Sequence, residues 1–314
     1  MGAIFSFFNQ KGGVGKTTSV INIATVLSGR EKKVLLIDLD AQGNTTSGIG
    51  LDKNNSEFTA YQLLVDNSDP ISAIKETSIK NLYAITANSD LAGAEIQLIN
   101  QEKREFVLKT QLEKVKNDYD FIFLDCPPSL GLISINALTA SNYVIIPLQC
   151  EYYALEGLVS LLKTYELVKK GLNPDLMIGG VVLTMANFQT NLTKQVIDEV
   201  REFFKEKVFN SVIPRSVKLS EAPSFGKPAV IYDTHNRGSQ AYMELGVEFL
   251  KWFGTEDDRI RLAQEQKMTD GAENPVLEGS IPQSNESGNA NPENTDLANV
   301  NNHSENVVPG DEKA

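Results

Sequence analysis

The nine residues Gln10-Lys11-Gly12-Gly13-Val14-Gly15-Lys16-Thr17-Thr18 constrain this chain more than any other stretch. They follow an apolar run at 4–8 and precede a segment of helical period at 17–27. A glycine-rich turn between a buried strand and a helix aims backbone N–H groups at one point. The helix N-terminus adds partial positive charge there, so the natural guest is a phosphate. In such a loop Lys16 reaches the β- and γ-phosphates, and the Thr17 hydroxyl ligates a magnesium ion.

Further apolar runs at 34–37, 121–124, 143–146 and 178–183 read as buried strands. Segments of helical period at 155–168, 192–204 and 240–252 alternate with them. Strands apolar on both faces and separated by helices predict a parallel sheet covered on both sides. Ligands then bind beyond the carboxyl ends of the strands. Two of those ends are acidic. The 34–37 run leads into Asp38 and Asp40, which the period of two places on the same side of the chain. The 121–124 run ends in Asp125, placed to hold magnesium through a bound water, and Pro127 and Pro128 then fix the direction of the loop.

Charge divides the chain unevenly. The net charge is −12 over 314 residues, but 255–314 has thirteen acidic and four basic side chains, or −9, which leaves −3 for 1–254. The expected organisation is a nucleotide-binding domain at 1–254 and an acidic tail at 255–314. Within the tail, 256–268 extends the last helix. Residues 270–314, rich in Asn, Glu and Ser without an aromatic residue, bury too little apolar surface to fold and are expected to be disordered. An acidic total does not exclude nucleic acid as a partner of the first domain, since local patches decide that. Cys126 and Cys150 lack metal-type spacing and point to a reducing cytosol. The sequence shows neither a signal peptide nor an apolar run of about 18–20 residues that could span a bilayer.

The loop departs from the general phosphate-loop pattern. Gln10 stands where glycine is usual, and a second lysine, Lys11, opens the loop. The string Lys-Gly-Gly-Val-Gly-Lys-Thr resembles the deviant Walker A motif of the ParA, MinD and nitrogenase iron-protein class. Asp38-Leu39-Asp40-Ala41-Gln42 is similar to its switch I, with Ala41 in place of proline, and Asp125-Cys126-Pro127-Pro128-Ser129 to its switch II. The strings at 149–157 and 219–228, together with Ile213-Pro214-Arg215, resemble the Soj-like ParA subgroup, so the likeness spans most of 1–253.

The resemblance implies an α/β P-loop NTPase of the deviant Walker A type, with a parallel, mixed-edge sheet flanked by helices on both faces. It implies an ATPase that uses ATP and Mg²⁺, slow unless a partner stimulates it. Lys11, Lys16 and Asp40 are then the catalytic set: Lys11 reaches the nucleotide of a second subunit and Asp40 orients the attacking water. Lys11, Gly12, Gly13, Val14, Gly15, Lys16, Thr17 and Thr18 bind the phosphates. Met185, Pro214 and Arg215 contact the base. Thr17, Asp38 and Asp125 serve the metal. Lys194, Arg215, Lys218 and Lys227 are the candidates for DNA phosphates, while Gln189, where relatives place arginine, adds no positive charge. The implied partners are a second copy on ATP binding, non-specific DNA and a ParB-type centromere-binding protein, with no membrane, in the cytoplasm on the nucleoid. The alternative is a MinD-like membrane-cycling ATPase, which needs a basic amphipathic C-terminus. An iron–sulfur reductase needs cluster cysteines, and a tyrosine kinase a C-terminal tyrosine cluster.

Overall fold

The five apolar runs read as strands lie in one sheet. In the computed structural model, which describes residues 2–152 and 154–272 apart from the side chains at 155, 156 and 268–272, the sheet has seven strands in the order β3-β4-β2-β5-β1-β6-β7. These are β1 (Ala3–Phe7), β2 (Val34–Asp38), β3 (Ile74–Glu76), β4 (Leu82–Ile85), β5 (Phe121–Asp125), β6 (Tyr143–Gln149) and β7 (Met177–Thr184). All neighbours are parallel except β3 and β4 at the edge. The parallel sheet with a mixed edge is thus as expected. β3 and β4 escaped the sequence reading. β3 is three residues long and half exposed, so it has no apolar run to read.

Period-two alternation sorts the strand residues into two cores. Leu35, Ile37, Ile122 and Leu124 face one side, and Val34, Leu36, Phe121 and Phe123 face the other. On the second side Phe5, Phe123 and Phe249 meet with centroids 5.0–5.6 Å apart. There α1 (Lys16–Gly29) packs on the helix Arg237–Phe253, where Gly246 admits Val26; a Cβ at Gly246 would lie 2.4 Å from Val26 Cγ1. The helices Ala154–Gly171 and Asn191–Phe204 match two of the expected segments.

The stretch past Gly254 is a separate helix, Glu256–Ala272, rather than an extension of the one before it. Thr255 donates to Asp258 from both its amide (2.9 Å) and its hydroxyl (2.8 Å), and Lys32 pairs with buried Asp258 at 2.7 Å. The first compact unit thus reaches past Gly254, to Met268. The disorder expected of 270–314 falls almost wholly outside the described residues.

Candidate nucleotide site

Strand register sets the site. Phe7 and Asp38 both pair with Asp125, so the ends of β1, β2 and β5 lie level at the carboxyl edge. The phosphate loop leaves β1 there and enters α1. Gly13 (φ +73°) and Gly15 (φ +89°) adopt left-handed backbone that side chains rarely take, and space around Gly12 and Gly13 is open where a Cβ would stand. Polar ties hold the loop. Asn9 accepts from Lys11 N (3.0 Å) and donates to Pro147 O (2.8 Å), while Thr184 Oγ1 donates to Val14 O (2.8 Å). Gln10, the departure from the general pattern, donates to Thr164 Oγ1 (3.0 Å) and accepts from Ser160 Oγ (2.9 Å). Its amide thus fastens the loop to the helix Ala154–Gly171, which a glycine could not do.

Lys16 is buried, and its ammonium donates to Lys11 O at 3.3 Å. Burial lowers its pKa, against the pull of Asp125, Cys126 and Asp40. Asp125 is buried at the floor of the site. Its Oδ2 accepts from the hydroxyls of Thr17 (2.7 Å) and Thr45 (2.8 Å), and its Oδ1 has no hydrogen-bond partner among the described residues. Asp38 is fully buried. Its Oδ2 accepts from the amide and the hydroxyl of Thr46 (2.8 Å each) and its Oδ1 from Asp40 N (3.2 Å). Burial raises the pKa of both carboxyls, and the charge of Asp125 adds to the rise at Asp38. Asp40 is half-buried and caps its own turn by accepting from Gln42 N at 2.9 Å.

The sequence reading passed over Thr45 and Thr46. They lie on α2 (Asn44–Gly48), one turn past Asp40, and tie that turn to both buried acids. A Thr-Thr pair following Asp40 is a usable signal only once the acids are known to be buried and short of donors.

The residues expected at the base lie beyond α1. A cavity there is bordered by Thr18, Met185, Pro214, Arg215, Leu219 and Tyr242. Met185 has φ +52°, an uncommon conformation for its side chain. Ala186 N donates to Ile213 O and Arg215 N to Ala186 O (3.0 Å each), so 185–186 and 213–215 form one wall. Thr18, Met185, Pro214 and Arg215 are thus brought together. Arg215, Lys218 and Lys227 lie on one stretch after β7, while Lys194 stands apart on the helix Asn191–Phe204. Lys194, Arg215 and Lys227 are exposed, and Lys218 pairs with Glu221 at 3.0 Å. Cys126 and Cys150 are buried, and burial raises the pKa of both thiols, as packing residues require.

Fold and loop together define a P-loop nucleotide-binding protein. An AAA-domain family model matches residues 2–178. The chain is 56% identical to sporulation initiation inhibitor protein Soj of Bacillus subtilis over 248 residues, 79% of this chain and 98% of that protein. It is 47% identical to chromosome partitioning protein ParA of Myxococcus xanthus, over 84% of this chain and 93% of the relative. Among solved structures, cobyrinic acid a,c-diamide synthase of Mycobacterium smegmatis with bound ATP analogue and magnesium superposes with a TM-score of 0.70 at 34% identity, covering 80% of this chain and 96% of that one. The chain belongs to the Soj/ParA family of chromosome-partitioning ATPases.

Proposed function

We propose that this chain is an ATP-driven partitioning switch. ATP and Mg²⁺ bind at residues 11–18, the loaded chain pairs with a second copy, and the pair holds DNA without sequence preference until a ParB-type partner triggers hydrolysis. One observation carries the nucleotide part of this reading: buried Asp125 offers an unpartnered oxygen beside the Thr17 hydroxyl, at the mouth of a loop with two left-handed glycines.

That donor set suits Mg²⁺, which prefers oxygen ligands, keeps several waters and takes the rest from phosphates. Thr17 and Asp125 would hold it, with Asp38 behind them. Bound there, the ion supplies charge neutralisation on the phosphates. The chain's own groups do the remainder. The loop amides from Gly12 to Thr18 and the N-terminus of α1 bind phosphate oxygens. Lys16 is already desolvated, so its attraction for a triphosphate is stronger than an exposed lysine's. Asp38 holds the Asp40 amide, and Asp40 orients the attacking water. Met185, Pro214 and Arg215 close on the base. Lys11 reaches the nucleotide of the second copy, where a cation offsets charge that develops in the transition state. Slow turnover without a partner follows if that alignment is incomplete in the pair alone.

Lys194, Arg215, Lys218 and Lys227 are the proposed DNA contacts, through phosphates. The machinery lies within 1–254, with the acidic 255–314 an appendage to it. The partitioning reading is favoured over membrane cycling by the relatives. No helix among the described residues is long and apolar enough to cross a membrane. The test is retention on non-specific DNA with a non-hydrolysable ATP analogue and Mg²⁺ across a salt series. Expected is ATP-dependent retention that falls steeply with salt. Absence of retention at low salt overturns the DNA part, and absence of analogue binding overturns the whole.

A further inference from the structure

Glu151 is where the two ends of the nucleotide site meet. It follows β6 and stands just ahead of the helix Ala154–Gly171. Its backbone is fixed in a tight turn: Glu151 N donates to Gln149 O (2.8 Å), and Ala154 N donates to Glu151 O (2.9 Å). One carboxylate oxygen lies 3.6 Å from Lys11 Nζ. The other accepts from Arg215 Nη2 at 3.2 Å and from the side-chain amide of Gln149. Lys11 belongs to the phosphate loop, and Arg215 to the wall of the base cavity. A single carboxylate thus holds the cation that serves the second copy and the cation that closes over the base.

We propose that Glu151 is a latch that keeps Lys11 on its own subunit until nucleotide and a second copy compete for it. This rests on the dimer reading above. For Lys11 to serve the partner's triphosphate it exchanges one anion for another. The ion pair it gives up offsets part of what the new contact contributes. The latch therefore raises the threshold for pairing. Because Arg215 shares the same carboxylate, a base that draws Arg215 away removes a competing cation and leaves Lys11 as the more strongly held of the two. The base cavity and the intersubunit lysine are thus linked through Glu151.

The size of the effect follows from exposure. The side chains are 40% (Lys11), 45% (Glu151) and 61% (Arg215) exposed, so each contact is weak. Two latches open per pair, and two weak contacts together shift the dimer equilibrium by about tenfold rather than by thousands.

The experiment measures the dimer dissociation constant by sedimentation at saturating non-hydrolysable ATP analogue and Mg²⁺. The proteins are wild type, Glu151→Gln, Glu151→Ala, Lys11→Ala and the Lys11→Ala/Glu151→Gln double variant. Glu151→Gln and Glu151→Ala are each expected to pair about tenfold more tightly than wild type. The double variant is expected to match Lys11→Ala, because the charge removed has nothing left to hold. Pairing in both Glu151 variants that is unchanged or weaker overturns the latch. A full gain in the Lys11→Ala background shows that Glu151 opposes pairing by another route and also overturns it. Failure of the wild type itself to pair is a different result: it removes the dimer reading and the latch with it. Every variant is expected to sediment as a monomer without nucleotide, which separates tighter pairing from aggregation of a damaged protein.

Discussion

The phosphate-loop end of this site and the stretch around 213–227 are built on opposite principles. At the phosphate end Lys16, Asp38, Thr45, Thr46 and Asp125 are buried, and the oxygens of Thr17, Thr45 and Thr46 meet the two acids at 2.7–2.8 Å. Around 213–227, Arg215 and Lys227 are exposed, and Arg215 and Lys218 pair with Glu151 and Glu221. Buried charge without partners is costly, so every partner must be encoded nearby and the geometry leaves little freedom. Exposed charge is satisfied by water and tolerates many arrangements. The first region is held by its own buried partners; the second rests on exposed ion pairs, which water and other ions can replace at little cost.

The comparison breaks most visibly at Lys16. Lys16→Ala removes a cation already desolvated and aimed at the loop, and is expected to weaken nucleotide binding by about two to three orders of magnitude. Titration with a fluorescent ATP analogue checks it; a loss of only a few-fold shows that the loop amides suffice without the ammonium. A smaller effect is expected one layer down. Thr45→Val keeps the shape of Thr45 but takes one of two donors from buried Asp125. The expected cost is about 1–3 kcal/mol of stability, or a fall in Tm of roughly 2–10 °C. A thermal melt without ligand reads it. An unchanged Tm shows that Asp125 is less dependent on these hydroxyls than its burial implies.

This difference between regions also explains what could be read in the sequence. Asp38, Asp125 and the loop stand at the ends of apolar runs, and period-two alternation with two-sided burial makes those runs visible. The central strands and the acid-bearing edge were therefore legible. Gln10 looked like a departure, and only its contacts with Ser160 and Thr164, 150 or more positions along, give it a purpose. Thr45 and Thr46 matter because of where α2 folds back, which no local pattern states. In the sequence, Glu151 is only part of the string at 149–157 that resembles the Soj-like subgroup. Its meaning comes from bringing residues 11, 151 and 215 together, a product of strand order. In the sequence, 256–268 reads as a continuation of the last helix. The break comes from Thr255 and Asp258 capping a new helix, with Lys32 drawing Asp258 into the body of the domain.

The smallest expected effect sharpens the comparison at its exposed end. If Lys227 contacts a DNA phosphate, Lys227→Ala reduces the slope of log affinity against log salt by about one, with a modest loss of affinity at any one salt concentration. Lys218→Ala is expected to do less. Lys218 pairs with Glu221 at 3.0 Å and lies 5.5 Å from the centroid of the Tyr232 ring, so meeting a phosphate requires it to leave both. Glu221→Gln should then strengthen DNA retention through Lys218 and leave the contribution of Lys227 untouched. Salt titrations of the three single variants, loaded with the same non-hydrolysable analogue, separate these cases. Equal slope changes for Lys218→Ala and Lys227→Ala, with no gain from Glu221→Gln, would mean that the ion pairs of this surface impose no order on which cation engages first. The contrast with the buried end would then hold for packing alone and not for ligand exchange.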